Sequence, residues 1–332
     1  MYIDVFNGDA DGICALHQLR LADSRPDARL VTGVKRNIRL LQQLSGIHNA
    51  HITVLDVSLD SNHKELVSLL ENGCDILYVD HHFSGEIPDF QNLTAHIDSN
   101  PETCTSLIVN HMLGGEFCAW AVVGAFGDNL HQSAYHAAAT LSLPDSTIAK
   151  LKELGELLNY NGYGLSVEDL FFPPQDLYRE ISPFPDPLSF LKHSSMLSTL
   201  RNGFHDDMQQ ATAFKPVREN EIGRIYELPP ERWARRVSGV FSNLKAQEEP
   251  ALAHGLLTRN PDETYRVNVR APLMNKQGAD TLCRAFATGG GRAAAAGINS
   301  LPSAQLDLFF KTFDEVFGGK QDKGFKVSRM KR

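Results

Sequence analysis

The chain has 332 residues, 42% of them hydrophobic and 22% charged, with a formal net charge of −8. This is globular composition with enough apolar material for about two domains, and it excludes a global basic field that would draw the protein to nucleic acid or anionic membrane. An acidic protein can still hold phosphates through metal ions or a local basic groove. The five cysteines, Cys14, Cys74, Cys104, Cys118 and Cys283, are odd in number and form no CxxC pair. Neither a disulfide framework nor a structural zinc site is therefore expected, and a reducing cytosol fits. MYIDVFNGDADG at the amino terminus has no basic region followed by a long apolar run, so no signal peptide is expected. No stretch approaches the roughly 18 apolar residues of a membrane span, and a cytoplasmic location is the expectation.

The first half alternates strands and helices. A short buried strand is predicted from Tyr2 to Phe6, then a helix from Gly12 to Leu21, a weaker strand from Ala28 to Thr32 and a short helix from Ile38 to Leu44. A strand from His51 ends at Asp56, an amphipathic helix runs from Asn62 to Leu70, and a strand from Asp75 ends at Asp80. The alternation predicts an α/β fold with a mainly parallel sheet and flanking helices. Helices follow from Thr103 to Leu113 and from Phe117 to Phe126, and a mostly helical connector runs from about Ser133 to Arg201, broken at NYNGYG, FFPPQ and SPFPDP. A linker is expected around Lys192 to Asp207.

The second half reads as a smaller α/β domain. Gln210 to Val217 and Gly223 to Leu228 are predicted to pair as strands, and Pro229-Pro230 opens a helix from Glu231 to Leu244. Ala251 to Thr258 and Thr264 to Val269 form a predicted hairpin across Asn260-Pro261-Asp262. Then come a helix from Ala279 to Ala287, a glycine loop at Gly289-Gly290-Gly291 and a last helix from Leu306 to Phe317. The expected domains are 1–130, a helical connector over 131–207, a second domain over 208–318 and a basic tail over 319–332, expected to be disordered.

Carboxylates recur where apolar segments stop. Asp9-Ala10-Asp11-Gly12 follows the first strand, and two acids one residue apart before a glycine can face a hard cation; such an Asp also serves as a helix N-cap. Asp80-His81-His82 ends the apolar run ILYV, where a charged, imidazole-rich triplet is costly unless compensated. A metal compensates it, although a turn with exposed histidines is the plainer reading. Asp56 ends ITVLD and Asp128 lies in VVGAFGDNL; either alone reads as a cap or turn residue. In open α/β sheets ligands bind beyond the carboxyl ends of strands, so topology can bring such acids together.

NGDADG, LDVS, VDHH and AVVGAFGDN in this order resemble the motifs of the DHH phosphoesterase superfamily. VNVRAP, GADTLCRAFA and GGGRAAAAGI resemble its associated substrate domain. The resemblance covers roughly Tyr2 to Asn129 and Gln210 to Phe317. It implies two divalent metal ions, Mn²⁺ ahead of Mg²⁺, with Asp9 and Asp56 serving one and Asp11, Asp56, His81 and Asp128 the other. It further implies that Asp80 orients the site, that His82 faces the scissile phosphate, and that Arg270, Gly289, Gly290, Gly291 and Arg292 hold substrate in a cleft between domains. Two positions depart from the pattern. Asn7 stands where some relatives have a metal-binding His or Asp, and can offer only an uncharged amide oxygen. Arg292 replaces the histidine of the GGGH signature and is suited to phosphate. His17, His63, His111 and His136 read as surface or packing residues, and Trp120 and Trp233 as core.

The implied activity is a metal-dependent phosphodiesterase or exonuclease on short or single-stranded nucleic acid. The alternatives are an enzyme for small nucleotides, cyclic dinucleotides or polyphosphate, and a nonhydrolytic nucleotide-binding regulator.

Overall fold

The computed structural model describes residues 1–319; the basic tail foreseen from residue 319 thus lies outside the described residues apart from Gly319. The chain divides into two compact units, Met1–Phe204 and His205–Arg332.

In the first unit, β1 (Tyr2–Phe6), β2 (Arg29–Val31), β3 (His51–Leu55), β4 (Asp75–Asp80) and β5 (Leu93–Ile97) form one sheet in the order β2-β1-β3-β4-β5, every pairing parallel. The central strands are mostly apolar, as expected of a parallel sheet; the exception is Asp4 in β1, buried and paired with Arg20. β5 was not foreseen: LTAHI alternates half-buried with exposed positions and carries no apolar run to announce an edge strand. The segment expected to be a helix from Ile38 is a 3₁₀ turn over Leu40–Leu44.

The helices of this unit are α1 (Ala10–Ala22), α2 (Leu59–Glu71), α3 (Thr105–Met112), α4 (Cys118–Gly127), α5 (His131–Ala139), α6 (Asp145–Asn161), α7 (Pro174–Ile181), α8 (Pro187–His193) and α9 (Met196–Thr212), the last continuing into the second unit. α2 is amphipathic, capped by the Ser58 hydroxyl, which accepts from the Ser61 amide. α1 and α4 are instead buried over most of their surface and form the centre of the first core with α6. Their contact depends on two glycines. A side chain at Gly127 would come within 2.3 Å of the Ala10 Cβ, and one at Gly155 within 2.3 Å of the Val123 carbonyl oxygen. This close packing sets the ends of α4 and α6 beside the start of α1. The linker expected around Lys192 to Asp207 is largely helical, because MLSTLRNGFHDDMQQAT contains no proline to break α9.

The second unit contains β6 (Arg218–Glu219), β7 (Gly223–Leu228), α10 (Arg232–Glu248), β8 (Ala253–Arg259), β9 (Tyr265–Arg270), α11 (Ala279–Arg284), β10 (Gly289–Gly291), β11 (Ala295–Leu301) and α12 (Leu306–Gly318). Its sheet runs β10-β11-β9-β8-β7-β6, antiparallel except between β7 and β8. The expected hairpin of β8 and β9 is present. Two expectations are corrected. Gln210 to Thr212 belong to α9, so only Arg218 and Glu219 pair with β7. Gly289, Gly290 and Gly291 are a strand rather than a loop, paired with Ile298, Gly297 and Ala296. Close backbone approach explains the glycines: a Cβ at Gly289 would lie 1.7 Å from the Cys283 carbonyl oxygen. Gly291, at φ +134°, would carry one 2.5 Å from the Ala296 Cα. Trp120 is core, at 0% exposure, but Trp233 is only half-buried, tilted against Phe214 with its Nε1–H donating to Glu231.

Candidate metal centre

The strand order changes direction between β1 and β3, which places their carboxyl ends side by side at the switch point of the sheet. Asp9 leaves β1 and caps α1, its Oδ1 accepting from the Gly12 amide at 3.1 Å. Asp56 leaves β3 with φ +58°, a left-handed conformation that an Asp adopts at a cost and that turns the chain sharply. Asp80 closes β4, and His81 and His82 follow it. Asp128 is the C-cap of α4, brought in by the Gly127 packing.

These side chains meet. His81 Nε2 lies 3.4 Å from Asp56 Oδ1 and 3.8 Å from Asp128 Oδ2. Ligand atoms of Asp56, His81 and His82 all fall within 4.8 Å of one another. The Asp56 carboxyl accepts the Thr105 hydroxyl at 3.2 Å. His82 donates from Nδ1 to Asp80 Oδ1 at 2.7 Å, which fixes its ring and leaves Nε2 as the other nitrogen of a 43% exposed side chain. Asp80 is fully buried, and its Oδ2 has no hydrogen-bond partner.

The electrostatics follow from burial. Asp56 is pushed well above the usual carboxyl range by desolvation and then by the charges of Asp9 and Asp11. Asp11 is raised by burial, with His81 opposing. His81 is raised to about 10: desolvation works against its charge, but the hydrogen bond to Asp56 and the fields of Asp56, Asp11 and Asp128 outweigh it. Buried carboxyls whose charged forms are disfavoured by burial and by one another make a site short of positive charge, which a divalent cation would supply. The donor set of carboxylate oxygens, imidazole nitrogens and a partnerless buried oxygen fits a Mn²⁺- or Mg²⁺-like ion.

Three expected ligands are engaged otherwise. Asp11 accepts the Thr105 and Ser106 amides, each at 2.8 Å, and so anchors the amino-terminal turn of α3. Asn7 donates from Nδ2 to the Lys35 carbonyl at 3.3 Å, and its buried Oδ1 has no partner. Asp9 Oδ2 accepts from Lys35 Nζ at 2.5 Å. That lysine, in the GVKRN segment after β2, was not foreseen. Its Nζ also reaches Asp128 Oδ1 at 3.2 Å and Asn159 Oδ1 of α6 at 3.0 Å. Its position past a strand's carboxyl end was the one available signal, and many lysines share such a position.

In the second unit, Arg270 ends β9 with its Nε–H donating to Asn243 Oδ1 at 2.7 Å. Gly289 to Gly291 lie on the outer strand β10, and Arg292 follows in the tight connection to β11, where Arg292 and Ala295 exchange backbone hydrogen bonds. Arg292 is exposed.

No known protein family's sequence pattern matches the chain, and no curated protein matches it. Solved structures do. A RecJ exonuclease bound to manganese is similar over 97% of this chain and 91% of its own, with a TM-score of 0.63 and 17% identity. RecJ from Thermus thermophilus with Mn²⁺ gives 0.60 and 16% over 96% of this chain, which spans 52% of that longer one. The fold is that of the DHH phosphoesterases. A pGpG-specific phosphodiesterase from Vibrio cholerae, PggH, has the same arrangement at a TM-score of 0.52 and 13% identity, covering 94% of this chain and 99% of that one. Within the DHH fold, the five-stranded parallel sheet carries the acids and histidines, and the second sheet carries the glycine strand. Among the described residues no helix is long and apolar enough to cross a membrane.

Proposed function

We propose that this chain is a metal-dependent phosphoesterase that hydrolyses phosphodiester bonds in short or single-stranded nucleic acid. The observation that carries the reading is the convergence of Asp56, His81 and Asp128 at adjacent strand and helix ends, with Asp9 joined to Asp128 through Lys35 and His82 held by Asp80 beside them. Asp56 and His81, with Asp128 alongside, would hold a divalent ion. That ion would polarise a phosphoryl oxygen and lower the pKa of a bound water.

The chain's own residues account for the rest. Asp80 keeps the His82 ring in one orientation, which leaves Nε2 as the nitrogen available to a substrate phosphate group. Thr105 and the α3 amides fix Asp56 and Asp11, which keeps the cluster from opening under its own repulsion. Phe83, 75% exposed directly after His82, offers a face on which a base can stack, which favours a nucleotide-containing substrate over pyrophosphate. Arg292 and the glycine strand of the second unit are assigned to phosphate binding on their chemistry, a forked cation beside backbone amides. A cytoplasmic location agrees with five free, buried cysteines.

The test is turnover by metal-stripped protein with added Mn²⁺ or Mg²⁺. The panel is 5′- and 3′-labelled oligonucleotides, linear and cyclic dinucleotides, nucleotides and pyrophosphate. Metal-dependent release of mononucleotides from the short oligomers is expected. Absence of turnover on every substrate by protein that binds the metal would leave a binding protein rather than an enzyme.

A further inference from the structure

The two-metal arrangement implied by the resemblance fits one half of the site better than the other. On the His81 side, nitrogen and oxygen ligands converge with no protein cation between them except the titratable imidazoles. On the Asp9 side a cation is already built in. Lys35 Nζ has three oxygen partners, Asp9 Oδ2, Asp128 Oδ1 and Asn159 Oδ1, at 2.5, 3.2 and 3.0 Å, which uses all three donors of an ammonium group. Both oxygens of Asp9 are engaged, Oδ2 with Lys35 and Oδ1 in capping α1.

Nor is the lysine a flexible arm that happens to point inward. Its backbone N–H donates to Gly162 O at 2.8 Å, its carbonyl accepts from Asn7 Nδ2, and its side chain is 24% exposed. The Tyr163 ring centroid stands 5.8 Å from Nζ. Asn7 is the position where a charged metal ligand was missing, and here it holds the loop that delivers the lysine. One change thus removes a ligand for a metal and supports the group that stands in its place. Asn159, Gly162 and Tyr163 come from the LNYNGYG stretch at the end of α6, so three separate segments converge on this one side chain.

We propose that the Lys35 ammonium replaces the first of the two expected metal ions, so that the centre works with one divalent cation and one fixed protein cation. A divalent ion on Asp9 would sit against a positive charge that already has its full set of acceptors, and the repulsion excludes it. Asp128 joins the halves, one oxygen on Lys35 and the other toward His81. The lysine thereby neutralises Asp9 and part of Asp128 without binding from solution, and holds Asp128 for the ion at Asp56 and His81. The inference rests on the metal-dependent reading above.

The experiment counts metal ions on the full chain, by calorimetry and elemental analysis of dialysed protein with Mn²⁺, together with electron paramagnetic resonance. The wild type should bind one Mn²⁺ per chain with the spectrum of an isolated ion. Lys35→Ala should bind two, with the broadened spectrum of a spin-coupled pair, and Asp56→Ala should lose the single ion of the wild type. Two coupled ions on the wild type would overturn the replacement while leaving the metal-dependent reading standing, as would a Lys35→Ala protein that still binds only one. If neither protein binds Mn²⁺ or Mg²⁺, the metal-dependent reading falls and this inference with it. Should Lys35→Ala not fold, the wild-type count still decides, and Lys35→Gln, which keeps a donor to Asp9, repeats the comparison.

Discussion

In the first unit the acids at the strand ends are sealed in: Asp9, Asp11, Asp56 and Asp80 are each at most 2% exposed. In the second unit the arginines assigned to substrate stand at the surface, Arg292 exposed and Arg270 half-buried. Buried charges interact strongly and must be balanced within the protein, so each member of the first set depends on its neighbours. A surface arginine is hydrated and screened and acts almost alone until a ligand desolvates it. Substitutions in the first unit should therefore have large, coupled effects, and those at Arg292 smaller, separable ones.

The largest effect should come from Asp56→Ala, which removes the carboxyl that meets His81 and Thr105 together. A fall in kcat of about three decades is expected, on the scale of several kcal/mol of lost transition-state stabilisation. Circular dichroism should stay native, and near-normal turnover by folded protein would remove Asp56 from the centre.

The next effect belongs to the core of the first unit and is an acid sensitivity. His17 is 1% exposed, packs edge-on against Trp120 and donates from Nε2 to Phe184 O. Burial lowers its pKa from 6.5 to about 4, against the effect of that hydrogen bond. Between those values the unfolded chain binds the proton and the folded one does not, so stability falls as pH drops from 6.5 toward 4. The loss should reach about 2 kcal/mol at pH 5. Urea unfolding of His17→Gln should show a flatter dependence over this range. Equal slopes would show that His17 does not carry the loss, which the site cannot supply either, since the raised pKa values of Asp56, Asp11 and His81 favour the folded state as pH falls.

For the second unit, Arg292→Ala should raise KM and lower kcat/KM by about one to two decades, the scale of a charge-assisted hydrogen bond. Metal affinity should stay unchanged. A collapse of metal binding at constant KM would reverse the division of labour between the two units. The smallest effect separates two readings of the glycine strand. Gly289→Ala forces a Cβ onto the Cys283 carbonyl and should cost about 1–3 kcal/mol, whereas a Cβ at Gly290 meets nothing within 4 Å. If Gly290→Ala keeps wild-type stability but loses affinity, that glycine serves an approaching ligand; unchanged affinity would make the strand purely structural.

The parallel sheet and its flanking helices were legible in the sequence, as was the placing of Asp9, Asp56, Asp80 and Asp128 where strands or a helix end, because each is a local event: an apolar run, then a charge where the run stops. The β8–β9 hairpin was legible through its turn residues. β5 and β11 were not. LTAHI is an edge strand with a half-exposed face, and AAGINSL is poor in the β-branched and aromatic residues that mark strands, so pairing rather than composition makes both. The glycine strand misled for the same reason: glycine permits a loop, and only the neighbouring Cys283 and Ala296 backbones reveal a close-packed strand. Local sequence could also show an uncharged amide at Asn7, but not which cation stands near it. Lys35 lies 26 residues from Asp9, 93 from Asp128 and 124 from Asn159. Contacts across such separations leave no periodicity and no spacing rule, so only the packing of β2, α4 and α6 around the end of β1 decides that this lysine belongs to the site.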